Sequence, residues 1–227
     1  MLYRLYQILF KKFGKQYWWP ADSKEEIMLG AILTQNTSWN NVEKAIKNLK
    51  AKNVCSIKAI ADMPVEEIEI LIKPSGFYRQ KAKRLKNFCE YLLAHYGENF
   101  IGKMNSKEIF ELRNELLDIK GIGKETADSM LLYVFEKPVF VIDAYTRRIY
   151  NAAYGNAQEL RYDELREIFE NEIKNVCKNK AKLVKIYNEY HALIVRFGKE
   201  YKRTDYEEEI KKVMLLHSNS GQKIRKH

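Results

Sequence analysis

A Gly-Ile-Gly turn between two helical patterns, with an aspartate 20 positions beyond it (143 − 123) at the end of an apolar run, constrains this chain more than any other feature. The stretch from Leu116 to Ile149 reads LLDIKGIGKETADSMLLYVFEKPVFVIDAYTRRI. Gly121 and Gly123 supply backbone freedom for a tight turn and let its amides approach a ligand closely. From Lys124 onward, Ala127, Met130, Leu131 and Val134 recur at helical spacing. The first amides of a helix have no partner within it, so this N-terminus is suited to a phosphate. Asp143 then stands at the head of a further helix, where amides favour its ionised form.

The helical period recurs along the chain. Residues 1–13 place Leu2, Leu5, Tyr6, Leu9 and Phe13 on one face. Asp22-Ser23 offers N-caps to a helix from Lys24 whose expected buried face is Ile27, Met28, Ala31 and Ile32. Further helices are expected over Asn40 to Lys50, opened by Trp39, near 56–61, near 64–71, and beyond Gly76-Phe77 through Leu85, Phe88, Leu92 and Tyr96 to a stop at Gly97. Asn105-Ser106 predicts the cap of a helix from Lys107 toward Leu117. After Asp143 the pattern predicts helices near 144–154, 162–175, 180–198 and 206–216, with 218–227 a mobile tail. Neither a period-2 strand nor a solenoid repeat is legible, so the expected fold is all-α.

Composition narrows the function. With 46% hydrophobic and 31% charged residues the chain is an ordinary globular sequence, and 40 Lys+Arg against 30 Asp+Glu give a net +10 that favours a polyanionic partner. No run approaches the ~18 apolar residues of a membrane span, so no membrane partner is expected and the protein is expected in the cytoplasm, associated with the nucleoid. Cys55, Cys89 and Cys177 lie 34 and 88 residues apart (89 − 55, 177 − 89). They read as reduced, buried thiols. The four His at 95, 191, 217 and 227 are equally scattered, so no metal site is expected.

The string around Gly121-Gly123 and Asp143 resembles the helix-hairpin-helix motif, with its following loop and catalytic Asp, of the endonuclease III superfamily of DNA glycosylases. Two upstream segments add to the likeness: Leu33-Thr34-Gln35-Asn36-Thr37, and Pro74-Ser75-Gly76-Phe77-Tyr78 with Lys81-Ala82. The resemblance implies a two-domain helical fold, with 23–136 as a central domain and 1–22 joined with 137–217 as a second. It further implies a cleft between them, duplex DNA with a damaged base as partner, and action as a monomer. Asp143 would be the catalytic carboxylate. Gln35 and Phe77 would enter the duplex where the damaged nucleotide has left. Gly121, Gly123, Lys124, Lys81, Arg79 and Arg147 would contact phosphate, and a monovalent cation is possible at the hairpin.

Departures from the family pattern sharpen the expectation. Members that also cut the backbone carry a Lys second after the hairpin's last Gly, and this chain has Glu125 there, 18 positions before Asp143 (143 − 125). A carboxylate cannot form the Schiff base that strand cleavage needs, and Lys124 next door points about 100° away around a helix. Relatives with an iron-sulfur cluster use four close Cys, whereas His191 to Tyr206 contains none. No cofactor is therefore expected, and Lys199 falls where such a Cys run would begin. Trp18, Trp19, Pro20 and Trp39 would form an apolar base pocket without an evident acid. Such a slot suits a cationic alkylated purine, which leaves readily and is attracted to aromatic faces. These features resemble the 3-methyladenine DNA glycosylase III type. The competing expectations are an endonuclease III-like glycosylase and lyase for oxidised pyrimidines, and a DNA-binding hairpin protein without catalysis.

Overall fold

The computed structural model describes residues 2–155 and 159–215. Every regular element among them is helical: α1 (Leu2–Phe13), α2 (Lys24–Leu33), α3 (Trp39–Ala51), α4 (Ile57–Asp62), α5 (Val65–Ile72), α6 (Tyr78–Tyr96), α7 (Phe100–Asn105), α8 (Ile109–Asp118), α9 (Lys124–Tyr133), α10 (Ala144–Tyr154), α11 (Tyr162–Val176), α12 (Lys180–Glu200) and α13 (Tyr206–Leu215). The all-α expectation holds. The chain divides into two compact units, one spanning Trp19–Lys137 and the other joining Met1–Trp18 to the chain from Pro138 onward. The tail expected over 218–227 lies outside the described residues.

Within the unit Trp19–Lys137, α2 is the central helix. Met28, Leu29, Gly30, Ala31, Ile32 and Leu33 are all buried, so the one-sided stripe expected for it is corrected to burial nearly all round, as for a helix inside a core. Ser23 caps it by accepting from the Glu26 amide at 3.1 Å. Around it pack α3, α6 and α9, while α4 and α5 cover α6. The helix expected from Lys107 instead begins at Ile109, with Glu108 as N-cap, because α7 runs through Asn105 and Ser106 closes it. Lysines hold several of these joints. Lys86 Nζ donates to the Ala61 and Met63 carbonyls at the C-terminal end of α4, and Lys137 Nζ donates to those of Asn105 and Lys107. A cation near the last carbonyls of a helix satisfies groups that have no intrahelical partner.

In the other unit, α12 packs against α1 and α10, and α10 packs against α13. Phe140 stacks on Phe169 at 4.7 Å and meets Tyr187 edge-on at 5.4 Å. The segment after α1 is fastened to α12 by the Gln16 amide, which donates to Glu189 Oε1 at 2.6 Å.

Candidate functional site

In the unit Trp19–Lys137, α8 and α9 flank the Gly-Ile-Gly turn. Gly121 has φ +100, and a Cβ there would stand 2.5 Å from Arg84 Cγ, so both backbone freedom and space demand glycine. Gly123 is different: φ is −93°, and a Cβ added there would meet nothing within 4 Å, which corrects the expectation of special backbone freedom at that position. Its small size leaves the N-terminal end of α9 open instead. Lys124 and Glu125 are exposed on the first turn of that helix.

Gln35, expected to enter DNA, ties its loop to this turn. Its Nε2 donates to the Gly121 carbonyl and to Thr126 Oγ1, each at 3.0 Å, and its Oε1 accepts from Arg84 Nη1. The amide is thus committed within the unit in this structure. Phe77 is presented quite differently. It is 65% exposed and adopts φ +46 at the N-cap of α6, an uncommon conformation for a bulky residue.

Lys81 does not face phosphate, and that expectation is corrected. It is buried, with Nζ donating to the Leu33 carbonyl at 2.8 Å and to the Ser75 carbonyl at 2.7 Å. Those carbonyls end α2 and precede Gly76-Phe77, so one side chain fastens the loops of both candidate wedges. Burial first, and then Arg84, lower its pKa to about 8. Arg79 is exposed, 4.0 Å from Glu69. Arg147, in the other unit, donates to the Leu160 carbonyl at 3.0 Å and so anchors a loop.

Three of the four expected pocket residues come together in the unit Trp19–Lys137. Trp19 meets Trp39 edge-on with centroids 5.1 Å apart, and meets Tyr133 at 5.4 Å. Gly30 admits this packing, since a Cβ would lie 3.2 Å from the Trp19 ring. Trp19, Pro20 and Trp39 line a recess of about 450 Å³. Glu26, Glu43, Lys47 and Lys50 also line it, which corrects the expectation of a slot without acids. Glu26 is buried and accepts from Lys50 Nζ and the Asp22 amide at 2.8 and 2.9 Å. Trp18 belongs to the other unit, where Lys199 Nζ lies 5.7 Å from its ring centroid.

Asp143 is delivered by the buried extended run Val139–Ile142, in which the Phe140 and Ile142 amides find side-chain partners in place of a sheet. Phe140 N donates to Glu170 Oε1 at 3.0 Å and Ile142 N to Tyr162 Oη at 3.3 Å. Asp143 is the N-cap of α10: Oδ1 accepts from Thr146 N at 2.7 Å and Thr146 Oγ1 at 2.8 Å. Its side chain is 13% exposed, and Oδ2 lies 3.6 Å from His191 Nε2. Burial works against the charge, yet His191 and the Thr146 donors outweigh it and hold the carboxyl below the usual carboxylate range. His191 was missed from sequence because it sits 48 positions away (191 − 143) on an apolar helix face, where a histidine reads as packing.

Among the described residues, no group of three or more His, Cys, Asp or Glu is placed to hold a metal ion, and no helix is long and apolar enough to cross a membrane. The three cysteines are free thiols.

An all-helical chain with a glycine turn opening a helix and a capped, ionised aspartate beyond it defines a helix-hairpin-helix protein of the base-excision type. Residues 29–175 match the family described as HhH-GPD superfamily base excision DNA repair protein. The chain belongs to that superfamily and is a DNA repair enzyme of the glycosylase class. A Methanocaldococcus jannaschii protein provisionally named a DNA repair glycosylase is 45% identical over 203 residues, 89% of each chain. Thermotoga maritima endonuclease III is 32% identical over 136 residues, 58% of this chain and 59% of its own. Among solved structures, H. pylori 3-methyladenine DNA glycosylase (MagIII) bound to 1,N6-ethenoadenine superposes with a TM-score of 0.73 at 32% identity, covering 88% of this chain and 97% of that one.

Proposed function

We propose that the protein is a monofunctional glycosylase that excises alkylated purines of the 3-methyladenine type from duplex DNA, acting as a monomer in the cytoplasm without a lyase step. The observation that carries the lesion class is the recess lined by Trp19 and Trp39, which meet edge-on. Aromatic faces attract a base that carries positive charge, and a cationic purine departs without prior protonation. The likeness to a 3-methyladenine glycosylase over most of both chains supports the same class.

Breaking the N-glycosidic bond develops positive charge on the sugar, which a nearby anion stabilises. Asp143 is that anion, and it orients the attacking water. Glu125, on the first turn of α9, supplies no amine for a Schiff base. The amides around Gly121, Gly123 and Lys124 take a DNA phosphate, with Arg79 adding charge, and Phe77 is the apolar wedge. A monovalent cation at the hairpin belongs to the same proposal. Exchange of potassium for a bulky organic cation should then weaken DNA binding.

The test is a panel of duplexes carrying 3-methyladenine, 7-methylguanine, thymine glycol, uracil, or adenine opposite 8-oxoguanine, each scored with and without hot alkali. Release confined to the alkylpurines, with strand breaks only after alkali, is expected. Excision of thymine glycol with direct strand cleavage would replace this reading with that of a pyrimidine glycosylase and lyase.

A further inference from the structure

His191 lies on α12 among buried neighbours from Tyr190 to Ile194. An aliphatic side chain would satisfy packing there at lower desolvation cost than an imidazole. Its side chain is 8% exposed, and its Nε2 faces the Asp143 oxygen that Thr146 does not bind. The two carboxylate oxygens therefore have separate neighbours: Oδ1 is fixed to the first turn of α10, and Oδ2 is turned toward α12.

We infer that His191 is a positioning residue for Asp143, holding Oδ2 in place and keeping the carboxyl ionised in surroundings that would otherwise neutralise it. The inference rests on the reading of Asp143 as the anion that stabilises the sugar cation. A protonated carboxyl offers that cation no charge, and both Thr146 donors serve Oδ1, so the imidazole is the partner set against Oδ2. At 3.6 Å the contact is longer than an ordinary hydrogen bond, and the imidazole favours the ionised carboxylate across that gap. No bond is made or broken at His191. Tyr206 from α13, with Arg148 and Tyr145 on α10, shares the electrostatic surroundings of Asp143. None of these three is a carboxyl group, so the acid limb of activity is assigned to Asp143.

The experiment uses the full chain with H191L, H191Q and, for assignment, D143N. The Asp143 carboxyl is titrated by carbon-13 NMR, and single-turnover excision is followed across pH. Glutamine retains an N–H donor without charge. H191L should raise the carboxyl pKa by about one unit or more, with H191Q between it and the wild type, and the acid limb should move in the same order. Affinity for a duplex holding a stable abasic-site analogue should change less than about twofold. An Asp143 that titrates identically in the wild type, H191L and H191Q, or excision that falls by one factor at every pH, would overturn the inference. If the wild type released no alkylpurine, the lesion assignment would fail, and the NMR titration would still decide the pair.

Discussion

Two buried ionisable side chains show how much a single residue decides here. Lys81 fastens the Leu33 and Ser75 carbonyls, and a neutral amine still has two N–H groups for them. In K81M both acceptors lose their donor inside the core, at about 1–3 kcal/mol each, so a drop in melting temperature of about 5–10 °C is expected. The folded pKa of about 8 lies below the ordinary 10.5. Between those values the unfolded chain therefore binds more protons, and stability rises with pH across the window. Calorimetry from pH 8 to 10.5 should show the stability advantage of the wild type over K81M widening as pH rises, since every other titrating group is common to both. At Asp143, asparagine keeps the Thr146 cap but removes the anion. D143N should lose at least about a thousandfold in excision, as for loss of a main electrostatic group. Gel-shift affinity for damaged duplex should stay within about threefold.

At the scale of elements, the hairpin makes a paired prediction. G121A forces a residue with a Cβ into φ +100 and against Arg84, which should cost about 2–3 kcal/mol and be read as a lower melting temperature. G123A meets no neighbour and has an ordinary φ. It should melt within about 2 °C of the wild type yet bind DNA about tenfold more weakly, because a methyl group then shields the amides of α9. Equal melting of the two variants would show that the turn is not under the constraint described. On α9 itself, one residue of rotation separates Lys124 from Glu125. Borohydride treatment during turnover should therefore trap no protein-DNA adduct, and a covalent band on a denaturing gel would refute the monofunctional assignment.

At the scale of the whole molecule, the net charge of +10 overstates what DNA can meet. Lys81, Lys86 and Lys137 spend their charge on backbone carbonyls. If all ten excess charges faced phosphate, the slope of log K against log salt would approach about −9. A slope of about −3 to −6, measured by fluorescence anisotropy between 50 and 300 mM salt, is expected instead. The helical period, the Gly121 turn, the Ser23 cap of α2 and the position of Asp143 ahead of α10 were all legible in the sequence, because each is a local consequence of backbone geometry and nearest neighbours. The commitment of Lys81 and Gln35 to carbonyls, the carboxylates that line the Trp19-Trp39 recess, and the approach of His191 to Asp143 were decided only by tertiary structure. Those contacts join residues tens of positions apart, and whether a polar side chain faces solvent, backbone or a partner is set by packing that no local pattern encodes.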